Sequence, residues 1–190
     1  MRSARDPVTW NPRRILIVGV TGSGKSTLGR AIEARTGIPH IEMDALHWGE
    51  GWTERPQFRT EARAAAASDA WVAELQYTRV LGALFLERAD TLVWLDLPPW
   101  VSLTQLTRRT VRSWRRREMK WGVVREPAPW TILTDDEHII RWWFRTWRKP
   151  AQRVPRYAAE HPQLQVVRLR SRREVREWVD RLASALRADG

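Results

Sequence analysis

The chain has 190 residues, 43% of them hydrophobic, and no cysteine, which suffices for one domain with a buried core and excludes a disulfide scaffold or a disordered tail. Ile15, Leu16, Ile17 and Val18 make as long an uninterrupted apolar run as the chain has, far short of the roughly 20 residues a membrane span needs. The formal charge of +11 points to an anionic partner, with nucleotide phosphates or nucleic acid the first candidates, or else to a solvated arginine surface.

Residues 1–11 carry arginines but no apolar segment ahead of a small-residue cleavage site, so a cytoplasmic protein is expected. Short apolar runs then alternate with helix-like stretches, the pattern of βα units on a parallel sheet. Strands are predicted at 15–18, 39–43, 71–74, 91–95 and 165–169, five in all, which suits one doubly wound sheet. Helices are predicted at 25–36, 56–68 and 99–117, the last two entered through prolines that suit a first helical turn.

The motif with chemistry follows the first strand. Gly19, Gly22, Gly24, Lys25 and Ser26 fit G-x-x-x-x-G-K-[ST] between an apolar strand and a helix, the context that a phosphate-binding loop requires. Glycines let the backbone turn tightly and aim successive N–H groups at a phosphate, and the next helix adds its positive dipole end. Thr21, Gly22, Ser23, Gly24, Lys25, Ser26 and Thr27 are therefore the predicted nucleotide-binding residues, with ATP or GTP as ligand. Lys25 reaches the β and γ phosphates, and Ser26 is a direct Mg²⁺ ligand.

Asp44 is expected at the end of the second strand, where a carboxylate can orient an acceptor hydroxyl and take its proton late in transfer, or else cap the turn that follows. Just beyond it, Trp48 and Trp52 flank Gly49, Glu50 and Gly51; with Arg55 they are the predicted wall of an acceptor pocket, or anchor their own loop. His47 either relays a proton or is structural. Glu74 ends the third strand and Asp96 follows the fourth, so either can support the metal through water, with Glu74 preferred.

Residues 101–156 hold 14 basic and five acidic residues. In the helix that opens this segment, Leu103, Leu106, Thr107, Thr110 and Trp114 are the expected packing face. Arg108, Arg112 and Arg115 lie opposite, at a spacing where like charges repel by roughly 0.2–0.5 kcal/mol per pair unless an anion relieves them. Arg108 and Arg112 are accordingly read as facing an anion; a solvated arginine face is the alternative. Residues 118–133 read as loop. Capping boxes at Thr134 to Glu137 and Ser171 to Glu174 predict two further helix starts. The first helix should bury Ile140, Trp143, Phe144 and Trp147, and the second Val175, Trp178, Val179, Leu182 and Leu186. Asp135, Asp136 and His138 are read as part of that first cap, with no metal assigned.

The phosphate-loop residues, the run from Ile41 through Asp44 to Trp48 with Gly51 and Trp52, the run from Ala89 to Pro98 and the run from Thr131 to His138 together resemble small P-loop proteins of the adenylate-kinase-like class, often labelled topology-modulation proteins or ATPases of unassigned role. The resemblance spans nearly the whole chain. It implies a single-domain α/β three-layer sandwich, a five-stranded parallel sheet in the order 2-3-1-4-5 and a short helical lid, about residues 108–137, in which Arg108 and Arg112 close over ATP. It also implies ATP binding and a phosphotransferase, without naming the acceptor; the acceptor expected for this chain is a small hydroxyl- or phosphate-bearing molecule, a nucleoside, nucleotide or sugar-like metabolite. Related sequences read W-x-x-D-G-x-Y in the third strand, whereas this one has Glu74 and Leu75 in place of Asp-Gly. Its P-loop ends in Lys25, Ser26 and Thr27, unlike the Gly-Lys-Gly-Thr of adenylate kinases. Residues 166–173 resemble the stretch that borders adenine. A nucleic-acid-associated ATPase and a nucleotide-dependent switch are the alternatives, and a monomer or homodimer is expected.

Overall fold

Strands buried on both faces read as continuous apolar runs, and three segments here do so. The computed structural model describes residues 1–120, 124–125, 128–136 and 138–188. Its elements begin with β1 (Arg2–Ser3), β2 (Arg14–Gly19), α1 (Lys25–Thr36), β3 (His40–Ile41), α2 (Met43–His47), a 3-10 turn (Glu50–Trp52), α3 (Phe58–Ala67) and β4 (Trp71–Glu74). They continue through α4 (Thr78–Leu81), α5 (Leu84–Arg88), β5 (Thr91–Leu95), α6 (Pro99–Arg115), β6 (Met119–Lys120), β7 (Val124–Arg125) and a second 3-10 turn (Pro129–Leu133). The chain then forms α7 (Ile139–Thr146), α8 (Lys149–Glu160), β8 (Gln165–Leu169) and α9 (Arg172–Ala188).

The main sheet runs β1-β8-β5-β2-β4-β3 with every neighbouring pair parallel. The five predicted strands take the order the resemblance implied, but the sheet has six. Arg2 and Ser3 add a strand at the outer edge of β8, opposite Val167 and Arg168, and the Arg2 guanidinium donates to Gln165 at 3.0 Å. Backbone pairing, with no apolar run to announce it, makes this strand. β6 and β7 pair separately and antiparallel inside the segment read as loop.

The strand period of two divides the core. Leu16 and Val18 face one side, with Ala73, Leu92, Trp94 and Val166, and pack against α3, α5 and α8. Ile15 and Ile17 face the other, with Val72, Val93 and Val167, under α1 and α9. Three layers result. A small third cluster joins Leu106 of α6 to Ile140 and Trp143 of α7, and the Trp143 indole N–H donates to the Ser102 hydroxyl at 3.1 Å.

Several local expectations are corrected. The buried face of α6 is Ser102, Leu106, Thr110 and Ser113, whereas Thr107 and Trp114 are exposed; small residues let α6 approach the glycine loop and α7 closely. Thr134 ends the second 3-10 turn, and α7 starts at His138, whose ring nitrogen accepts from the Ile140 N–H. The predicted cap partner Glu137 lies outside the described residues, as do Gly122 and Pro127. Phe144 is exposed, because α7 packs through Ile140 and Trp143. Asp44 stands in the first turn of α2 rather than at a strand end, since β3 stops at Ile41. α8 was not foreseen because Pro150 and Pro155 break its pattern. At α9 the second box forms: the Glu174 N–H donates to Ser171 Oγ at 3.1 Å, and the Glu174 carboxylate takes the Arg170 N–H at 2.7 Å.

Trp178, fully buried in the layer under α9, anchors that helix. Trp178→Ala is expected to cost about 3–5 kcal/mol in chemical denaturation; a loss below about 1 kcal/mol would mean that α9 does not hold this layer.

Candidate active site

The loop from β2 to α1 turns through two left-handed glycines, Gly22 at φ 80° and Gly24 at φ 95°, a conformation that a Cβ makes costly. At Gly22 space is also lacking: a Cβ would stand 2.6 Å from the Ser102 carbonyl oxygen and 2.8 Å from Leu106 Cβ. The Gln105 amide, turned so that both its ends are satisfied, donates to the Gly22 carbonyl at 3.0 Å and accepts from Arg172 at 2.8 Å. α6 thus seats the loop and ties it to the start of α9. Gly24 caps α1 with no side-chain acceptor, and the first turn of α1 has no acidic residue, so its amides face an anion unopposed. The Ser23 hydroxyl is buried without a partner. A polyphosphate fits this donor set.

Thr21 and Ser26 are half-buried beside the turn, and Thr27 is exposed at a cleft of about 390 Å³ that Ser23, Leu97, Gln105, Arg172 and Val175 also line. Lys25 Nζ lies 3.8 Å from Glu74 Oε2, both side chains nearly covered. Glu74 is opposite Ile17 at the carboxyl end of the sheet, beside the loop. Asp96 is occupied elsewhere: Arg168 holds its Oδ2 at 2.8 and 2.5 Å while stacking on Trp94, 4.5 Å from the ring centre. Among the described residues, no group of three or more histidine or carboxylate side chains forms a metal cage.

Asp44 and His47 are three residues apart on α2, hence on one side of it. The Tyr77 hydroxyl donates to Asp44 Oδ1 at 2.5 Å, and its ring lies on the His47 imidazole, centroids 3.9 Å apart and planes 11° apart. Phe58 and Trp48 meet His47 edge-on. Burial, the Asp44 charge and the hydrogen bond to it push the Tyr77 hydroxyl far above the ordinary tyrosine range, with Trp48 opposing as a hydrogen-bond partner and Glu74 adding to the rise. Tyr77 therefore sits within the fields of both carboxylates. The sequence signal for it was the final position of the third-strand pattern.

The remaining predicted residues spread outward. Trp48 is half-buried, 5.5 Å edge-on from Trp52, which is 40% exposed. The Arg55 guanidinium donates to the Leu46 carbonyl at 3.2 Å and the Glu61 carboxylate at 3.0 Å, closing the end of α2. Arg108 and Arg112 are exposed on α6. Arg112 follows Gln105 by seven residues and shares the side that touches the loop, while Arg108 lies further round. Gln105 carries no motif and was missed; Arg172 lies within residues 166–173, the stretch that resembles the border of adenine.

No protein-family model matches the sequence, and no curated protein does. Among solved structures, a shikimate kinase from Acinetobacter baumannii in complex with shikimate matches with a TM-score of 0.51 at 16% identity, over 94% of each chain. A shikimate kinase from Bacteroides thetaiotaomicron matches at 0.50 and 20% identity, over 92% of this chain and 98% of that one. A gluconokinase from Sinorhizobium meliloti 1021 gives 0.48 at 22% identity, covering 94% and 95%. The two shikimate kinases show that the chain has the fold of small P-loop kinases, in keeping with the class its sequence resembles.

Burial lowers His47 below its ordinary 6.5, against the pull of Glu54 and Asp44, and it lowers His40 likewise, against nearby carboxylates. Below 6.5 the unfolded chain therefore takes up protons that the folded chain refuses, so stability present at pH 7.5 is lost as pH falls. Denaturation midpoints should drop between pH 7.5 and 5.5, and drop less in His40→Gln/His47→Gln; equal drops in the two proteins would remove these histidines from the cause.

Proposed function

We propose that the chain is an ATP- and Mg²⁺-dependent kinase that phosphorylates a hydroxyl group on a small metabolite. The observation that carries the reading is the seated glycine loop, whose unopposed α1 amides and covered lysine stand beside a carboxylate at the mouth of the sheet. The shared fold with shikimate kinases supports it. Likeness at that identity speaks for the architecture, so the acceptor is left at the level of a hydroxyl-bearing nucleoside, nucleotide or sugar-like molecule.

The base occupies the cleft between Thr27, Gln105 and Arg172, and the phosphates lie over residues 21–27. Lys25 exchanges Glu74 for the β and γ phosphates, which offer it more negative charge. Ser26 and Glu74 are the residues that would hold Mg²⁺; the ion neutralises charge on the phosphate oxygens. Asp44 accepts the hydrogen of the acceptor hydroxyl and orients its oxygen in line with the γ-phosphorus. As the new P–O bond forms, the bond to the bridging β–γ oxygen breaks, the proton passes to the Asp44 carboxylate and ADP leaves. Trp48 and Trp52 offer aromatic faces to the acceptor, Arg55 fixes the loop that carries them, and Arg112 with Arg108 supplies positive charge from the lid side as the phosphoryl group moves.

A nucleic-acid-associated ATPase is favoured by one feature. Trp114 and Trp130, both exposed, meet edge-on with ring centres 4.7 Å apart, next to exposed Arg115 and Arg116 on a segment rich in basic residues. Exposed rings beside arginines suit single-stranded nucleic acid. Filter binding across a salt series decides: retention at low salt that falls steeply as salt rises supports this reading, and no retention at low salt removes it.

Transfer of labelled γ-phosphate to a panel of hydroxylated metabolites tests the kinase. Lys25→Ala should lower transfer by at least about a hundredfold, and Asp44→Asn should do so with ATP affinity within about twofold of the parent. Full turnover by Asp44→Asn would take Asp44 out of the reaction.

A further inference from the structure

We infer that Tyr77 is the positioning residue for Asp44: its hydroxyl occupies Oδ1 and leaves Oδ2 as the single oxygen presented to the acceptor. The inference rests on the kinase reading and adds a residue to it. A carboxylate with both oxygens open can rotate about its χ2 torsion and meet a hydroxyl in several geometries, and the loss of a well-aligned approach is expensive in phosphoryl transfer. A donor on one oxygen removes that freedom.

Three observations converge on Tyr77. First, its hydroxyl donates to Asp44 Oδ1 at 2.5 Å, so the two groups are directly hydrogen-bonded. Second, the ring is held. It stacks on buried His47 and meets Phe58 edge-on, with centroids 5.2 Å apart. Because His47 is one turn from Asp44 on α2, a ring lying on the imidazole carries its hydroxyl to the carboxylate. Third, Tyr77 has φ 53°, a left-handed conformation that is rare for a bulky residue and that tertiary structure must enforce. The strain sits where β4 gives way to α4, three residues after Glu74 and within reach of its charge.

The arrangement also settles the direction of the hydrogen bond. A phenol held above its ordinary range by burial and a neighbouring carboxylate stays protonated at working pH. It is therefore a donor to Asp44, and the proton from the acceptor goes to the carboxylate.

Tyr77→Phe keeps the ring and its stack on His47 while deleting the hydroxyl, so the test uses the full chain with this variant, Asp44→Asn and the double variant. With an acceptor found in the transfer screen, Tyr77→Phe is expected to lower kcat about tenfold or more, leave the ATP KM unchanged, and have less than about a twofold effect in the Asp44→Asn background. Equal losses in both backgrounds would overturn the inference, because a structural tyrosine acts whether or not Asp44 is present. Proton NMR supplies an arm that needs no acceptor. A hydroxyl proton shared at this distance gives a slowly exchanging signal downfield of the amides, expected in the parent and absent from Tyr77→Phe and Asp44→Asn. Its absence from the parent, or its persistence in Asp44→Asn, overturns the placement. Should no metabolite accept phosphate from the parent, the kinase reading fails visibly on its own, and the NMR arm still decides whether Tyr77 holds Asp44.

Discussion

The closeness of Gly22 to α6 is the constraint on which the site depends. The loop carbonyl at Gly22, the backbone of Ser102 and the side chain of Leu106 share a space with no room for a Cβ. That contact fixes the height of the loop over the sheet, and with it the direction of the α1 amides. It also couples elements distant in sequence. Gln105 reaches the loop on one side and Arg172 on the other, while Ser102 accepts from the Trp143 indole. The glycine loop, the cleft beside Thr27 and the packing of α7 are therefore set by one face of one helix.

The charge of the chain takes on a different meaning once its partners are known. Composition alone points to a large anionic partner, but much of the arginine is used inside the molecule. Arg168 holds Asp96, Arg55 closes α2 and reaches Glu61, Arg30 pairs with Glu42 and Arg35 with Asp180. Arg141 meets Asp136 at 3.0 Å. Exposed pairs of this kind add little stability each, yet they take up cations that a sequence count offers to a ligand. Lys25 differs from them: it is one of three lysines, nearly covered, and its carboxylate partner lies at 3.8 Å, a loose contact that leaves it free to move to a stronger anion.

The proposed acceptor side is organised around α2, a helix of five residues of which the strand prediction took in only Met43. Ending β3 at Ile41 turns Asp44 from a strand-end carboxylate into one member of a helical face shared with His47. Tyr77, three residues past the end of β4, completes that face. A carboxylate, an imidazole and a phenol thus come from two segments more than 25 residues apart, and only the parallel pairing of β3 with β4 brings them together.

What the sequence determined by itself was whatever rests on local pattern: five βα-type strands along the chain, the glycine-lysine turn between β2 and α1, and the Ser171 start of α9. Periodicity and turn chemistry act within a few residues, so they can be read in a line of letters. The tertiary structure alone decided the edge strand at Arg2 and Ser3, the burial of Ser102, Thr110 and Ser113 in place of Thr107 and Trp114, the pairing of Asp96 with Arg168, and the placing of Tyr77 against Asp44. Each of these is a contact between residues far apart along the chain, chosen by the space and the hydrogen-bond partners that folding brings near.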